Sequence, residues 1–252
     1  MTTQEALFQY TLRLGDTSLI LSQRLAEWTS KGPFLEEDLA LTNIALDIMG
    51  QANSLLEYAA KIEGKNRSAD DLAFFRNERE FYNVLLAEQP NGDYAKTMIR
   101  QAMMDHFDIL FYSALAKSKD ATLAAIAAKS VKEITYHVRH SSSWIDRFGN
   151  GTEESHARAQ AAVNELWRFS DELFEMNDVD AILLKEGIAV DLSSLKAEWT
   201  HKVIELLEKA GLKLPEATFM QHGSRKGVHT EHLGYILAEM QHLPRMYPTA
   251  KW

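Results

Sequence analysis

Apolar residues recur along most of the chain at spacings of three, four and seven, the period of an amphipathic helix rather than of a strand. From about Glu5 to Trp28, Leu7, Tyr10, Leu14, Leu21, Leu25 and Trp28 form such a series, and Gly32-Pro33 stops it. Pro33 with Glu36, Glu37 and Asp38 gives the next segment a proline and an acidic first turn, which predicts a second helix ending near Gly64. A short third helix is expected from about Asp70 to Glu88, before Pro90-Asn91-Gly92. Asp93 is placed to cap a fourth helix to about Lys117, and Asp120 a fifth to about Phe148. After the break at Gly149-Asn150-Gly151, Thr152 with Glu153 and Glu154 begins a sixth, and Asp191 begins a seventh that Gly211 closes. A last helix is expected from about Thr230 to Leu243, and Gly211 to Gln221 could be extended.

The connections set the architecture. Helices one and two are joined by a short turn, as are four and five, whereas residues 65 to 92 make a long link with a small helix inside it. Two hairpins joined by one long crossover describe a ferritin-like four-helix bundle. The fold class is all-α: a core bundle over about 5–149 and additional packing helices over about 152–246, expected as one domain. No internal repeat marks a solenoid.

Composition narrows the function. The 252 residues are 46% hydrophobic and 25% charged, enough for a large core, and 36 acidic against 27 basic side chains leave a formal net charge of −9. That charge repels a phosphate backbone, so no nucleic-acid partner is expected. There is no cysteine, which excludes thiolate metal sites, iron–sulfur clusters and thiol nucleophiles. With charges among the first twenty residues and no stretch of 18 uncharged apolar residues, neither a signal peptide nor a membrane span is read, and a cytoplasmic location is expected.

Polar residues inside apolar stripes are the informative positions, because a buried polar group needs a partner. Asp16 and Gln23 share a face of helix one, and on helix two Asn43, Asp47, Gly50 and Ser54 form one line. Asp105 occupies a comparable position on helix four, and helix five aligns Glu133, His137, His140 and Trp144. In a working di-iron bundle two helices give one Glu each and two give Glu-x-x-His. Here Asp47-Ile-Met-Gly50 has glycine where a nitrogen ligand belongs, and Glu133-Ile-Thr-Tyr136 has tyrosine. His137 comes one residue late, turned by about 100° around the axis. The shell is too poor for two irons, so hydrogen bonds and ion pairs from Lys132, Arg24, His137, Tyr136, Gln23 and Asn43 are expected to fill the centre instead.

Other motifs carry less. Glu239-Met-Gln-His242 is a Glu-x-x-His with no second copy, and His229-Thr-Glu231-His232 reads as a helix start at Thr230. Arg225 and Lys226 precede that start, where amides and the dipole favour an anion, which makes them candidates for an anion or partner contact beside plain solubility. There is no local catalytic-triad motif, phosphate loop or dinucleotide fingerprint.

Several segments together resemble a known family. Tyr10-Thr-Leu-Arg-Leu-Gly-Asp16, Asp38-Leu-Ala-Leu-Thr-Asn43-Ile-Ala-Leu-Asp47, Glu88-Gln-Pro-Asn-Gly92, Lys132-Glu133 with Tyr136-His137, Gly149-Asn-Gly-Thr152, Leu166-Trp-Arg-Phe169, Glu186-Gly-Ile-Ala-Val-Asp191 and Gly227-Val-His-Thr-Glu-His-Leu-Gly234 resemble the C subunits of bacterial 1,2-phenylacetyl-CoA epoxidases, nearly end to end. The resemblance implies a multicomponent monooxygenase of aerobic phenylacetate degradation that epoxidises the aromatic ring of phenylacetyl-CoA. It also implies that this chain is a structural subunit without a cofactor of its own, not catalytic by itself. Its partner would be a homologous ferritin-like catalytic subunit that holds the di-iron site, within a hetero-oligomer of further epoxidase subunits. A separate reductase subunit would supply NADPH, FAD and iron–sulfur chemistry. Asp16, Asn43, Asp47, Asp105, Glu133 and His137 would be relics or replacements of a metal shell. Two other readings stand beside it: a self-sufficient ferritin-like di-iron oxidase or oxygenase, and a bundle that binds an acyl-CoA through Arg225 and Lys226.

Overall fold

The structure, a computed structural model, describes residues 1–216 and 219–250. It is all-helical, with no strand among the described residues. The long helices are α1 (Thr3–Ala26), α2 (Leu35–Glu63), α5 (Tyr94–Leu115) and α6 (Ala121–Gly149). Between the two pairs lie α3 (Ala69–Phe74), a 3-10 turn at Glu78–Glu80 and α4 (Leu85–Glu88). The order of two long-helix pairs with a crossover between them is that of a ferritin-like bundle. The remaining helices are α7 (Glu153–Leu166), α8 (Asp178–Glu186), α9 (Lys196–Lys209), α10 (Glu231–Met240) and α11 (His242–Met246). Of these, α8 has no counterpart among the elements that the hydrophobic pattern predicts. No helix among the described residues is long and apolar enough to cross a membrane.

The chain forms two compact units: residues 1–89, 178–183 and 223–252, and residues 90–177 and 184–222. In the first, α1 and α2 pack along each other. Gly15 permits their close approach, since a Cβ there would meet the Leu56 side chain at 2.8 Å. Leu41, Ile44, Ala45, Ile48, Ala52, Leu55, Leu56 and Ala59 make the buried face of α2. The helix ends where Gly64 turns left-handed at φ 69°. Asp38 closes the turn before α2 by accepting from Gly32 N at 3.0 Å, and this bond draws its carboxyl below the usual range.

In the second unit α5 pairs with α6, and α7 and α9 pack on them. The caps are those the sequence predicts. Asp93 accepts from Lys96 N, Asp120 from Thr122 N and Leu123 N, and Thr152 from Ser155 N. Trp199 is buried, donates to Met103 O at 3.0 Å and stacks on Trp167 at 5.6 Å. The segment from Gly211 to Gln221 has no regular structure where described, and positions 217 and 218 lie outside the described residues.

One expected element is replaced. The single helix from Asp70 to Glu88 is broken into α3, the 3-10 turn and α4. Its backbone amides are used elsewhere: Tyr82 N donates to Asp16 Oδ2 at 3.0 Å and Val84 N to Thr17 Oγ1 at 3.3 Å. A continuous helix would have bonded those groups within itself.

Candidate functional site

In the first unit, three buried carboxylates are matched by donors. Asp16 on α1 is fully buried and faces Arg76, which follows α3. Nη1 of Arg76 donates to Asp16 Oδ2 at 2.9 Å, Nη2 donates to Oδ1, and Tyr82 N adds a third bond. The guanidinium also donates to Leu72 O and Glu80 O and lies over the Phe81 ring, 4.1 Å from its centre. One turn earlier on α1, Arg13 grips Asp180 of α8 with both terminal nitrogens.

The third is Glu88, fully buried at the end of α4. Its Oε1 accepts from the Thr230 amide and hydroxyl, each at 2.7 Å, and its Oε2 from His229 Nδ1 and Asn83 Nδ2, each at 2.8 Å. His229 Nε2 meets Phe81 O at 2.8 Å. Both ring nitrogens therefore lie within hydrogen-bond distance of an oxygen, Glu88 Oε2 on one side and the Phe81 carbonyl on the other. The amide of Thr230, at the start of α10, thus already holds an internal anion.

In the second unit Asp105 on α5 and Glu172 are buried acids. Gln101 Nε2 donates to Oδ1 of Asp105 and Ser141 Oγ of α6 to its Oδ2, both at 2.7 Å. Burial pushes the Asp105 carboxyl up to about 6, against the attraction of His137, the two hydrogen bonds and His140. Desolvation and the nearby Asp105 hold Asp108 well above the usual carboxylate range. His106 meets Ser142 Oγ at 3.1 Å through Nε2, and burial, with Lys202 adding to it, lowers its imidazole to about 4.

These groups set opposing pH dependences. Between about pH 4 and pH 6 folded Asp105 keeps a proton that the unfolded chain has released, so it removes stability as pH rises through that window. Folded His106 refuses a proton that the unfolded chain takes up near the ordinary imidazole value of 6.5, so it removes stability as pH falls from there towards about 4. Asp105→Asn is therefore expected to make the slope of unfolding free energy against pH more positive by about 1.4 kcal/mol per pH unit. His106→Gln is expected to make it more negative by as much. Urea unfolding at a series of pH values measures both, and identical slopes in the three proteins would contradict the assignment.

The candidates read from sequence separate by burial. Asp16, Asp105 and His137 are buried, whereas Gln23, Asp47 and Glu133 are half-buried, and Glu133 lies 3.6 Å from Lys129. Asn43, Lys132 and Tyr136 are exposed, which corrects their placement in a polar interior. The inward face of α2 is the Leu41, Ala45, Ile48, Ala52 side, so the line through Asn43, Asp47, Gly50 and Ser54 falls at its margin. On α6 the buried line is Ser130, Ile134, His137, Ser141 and Ile145, and Lys132 and Tyr136 point away from it. Arg24 bonds the Glu88 carbonyl and the Glu27 carboxylate. The spacing of polar residues does not single out Arg76, Glu88, Asn83, Gln101 or Ser141, and of these only Glu88 falls in a segment that carries the family resemblance. Arg225 is half-buried and Lys226 exposed, in a 3-10 turn before α10. Glu239 and His242 are exposed and form no cluster with each other's neighbours on α10, while Gln241 between them is buried and donates to Ala73 O and Arg76 O.

The sequence matches the phenylacetic acid catabolic protein family over residues 1–252. The chain belongs to that family. Within it, the chain is 49% identical over 243 residues to the C subunit of 1,2-phenylacetyl-CoA epoxidase from Escherichia coli strain K12, covering 96% of this chain and 98% of that protein. For a member of the phenylacetic acid catabolic protein family the question is whether its carboxylates suit an iron pair. Such a centre takes several carboxylates with lone pairs directed at the metals. Asp16 directs both oxygens at Arg76 and Tyr82 N, and Asp105 directs its own at Gln101 and Ser141. In both, protein donors occupy both carboxylate oxygens.

Proposed function

We propose that this chain is a non-catalytic structural subunit of a phenylacetyl-CoA epoxidase, paired with a homologous ferritin-like subunit that carries the di-iron site. It holds no cofactor of its own on this reading, and NADPH, FAD and iron–sulfur chemistry belong to a separate reductase subunit. The observation that carries the reading is the Asp16–Arg76 pair: a guanidinium supplies the positive charge that a ligating carboxylate would take from a metal. The Gln101 and Ser141 bonds support it differently, as neutral donors that occupy both oxygens of Asp105. The E. coli relative, named as a subunit of an epoxidase, supports the place in phenylacetate catabolism and the presence of partner chains.

Co-expression with the catalytic subunit of the same organism tests the proposal. A stable complex is expected, with ring epoxidation of phenylacetyl-CoA only when both chains and the reductase are present. Separate elution of the two chains at micromolar concentration contradicts it. So does about two irons per copy of this chain purified alone without chelator, the content of a di-iron protein.

A further inference from the structure

Leucines stand on the outer face of α2 as well as on the inner one, together with Thr42, Asn53 and Glu57. Leu35, Leu39 and Leu46 are 71%, 55% and 63% exposed, and Phe34 at the helix start is 63% exposed. At 100° per residue, Leu35, Leu39, Leu46, Gly50 and Asn53 fall within about 60° of one another, opposite the face buried against α1. Exposed leucines gathered on one helix face mark an interaction surface.

Gly50 is the second observation. It stands inside a 29-residue helix, where glycine is unfavourable relative to alanine, and a Cβ there would meet nothing within 4 Å. Nothing in the chain itself requires a glycine at this point. Close approach of another backbone does.

We propose that this face, from Phe34 to Asn53, is where the partner subunit lays a helix, crossing α2 most closely at Gly50. The inference rests on the structural-subunit reading and gives it a surface. The charges argue for a different chain over a second copy. Glu36 and Asp47 border the stripe and Glu57 continues it, with Lys61 at its C-terminal end. An antiparallel self-pairing centred on Leu46 would set Glu36 against Glu57 of the other copy, in a chain of net charge −9. The occupant is an amphipathic helix with an apolar stripe and basic residues at its edges.

Gly50→Gln and Leu46→Asp test this in the full chain, with the catalytic subunit as the probe. In the isolated chain Gly50→Gln is expected to leave the thermal midpoint unchanged or raise it, because the new side chain enters open space. Each variant is expected to weaken the complex at least tenfold. Undiminished affinity in both variants overturns the surface while leaving the partner reading intact. Absence of any complex with the unaltered chain removes the partner reading and this inference with it. A dimer of the chain alone that Leu46→Asp dissolves assigns the face to a second copy and overturns the proposal.

Discussion

Arg76→Leu is expected to lower the unfolding free energy by about 3–5 kcal/mol, the usual cost of leaving one member of a buried ion pair alone. Asp16 has no exposed surface through which water could replace the guanidinium, and the Tyr82 amide alone does not compensate its charge. Arg76 also donates to Leu72 O and Glu80 O and covers the Phe81 ring, so the loss extends to the whole turn after α3. The double variant Asp16→Asn with Arg76→Met is expected to be more stable than Arg76→Leu. It removes both charges, keeps an acceptor for Tyr82 N and restores apolar volume against Phe81. A double-mutant cycle in urea measures the coupling, and additive losses would show that the two residues do not act as a pair.

Glu88→Ala has a comparable expected effect, about 3–5 kcal/mol, and a more local signature. It strands the His229 ring, the Thr230 amide and the Asn83 side chain at once. Glutamine is not a conservative substitute. Donors meet both oxygens of Glu88, so whichever way the amide is turned its NH2 confronts either Thr230 or the His229 and Asn83 pair. Both variants are expected to release α10 from α4, read as faster amide hydrogen exchange over Glu231–Met240. Retained protection there, with the midpoint unchanged, would contradict the role given to Glu88.

The elements legible in the sequence are those fixed by neighbouring residues. Asp93, Asp120 and Thr152 cap amides two to three positions away, and Gly64 and Gly211 end helices by local backbone geometry. The segment from Phe75 to Val84 is not legible, because its amides bond side chains more than sixty positions distant on α1. Arg76 escapes for the same reason, as a cation in a charged, aromatic stretch looks solvated until its partner is known. The faces of α2 mislead because leucines stand on both, so periodicity alone does not say which is inward. On α6 the buried line passes through His137, and the adjacent Tyr136 is turned by about 100° to the outside.

The first unit is assembled from three separated stretches, 1–89, 178–183 and 223–252. Arg13 waits for Asp180, 167 positions later, and Glu88 for His229, 141 positions later. At ribosomal speeds of roughly 5–20 residues per second, the hairpin that is synthesised first stays unfinished for on the order of ten seconds or more. Its charges remain hydrated meanwhile, and a nascent chain halted before Thr230 never closes it.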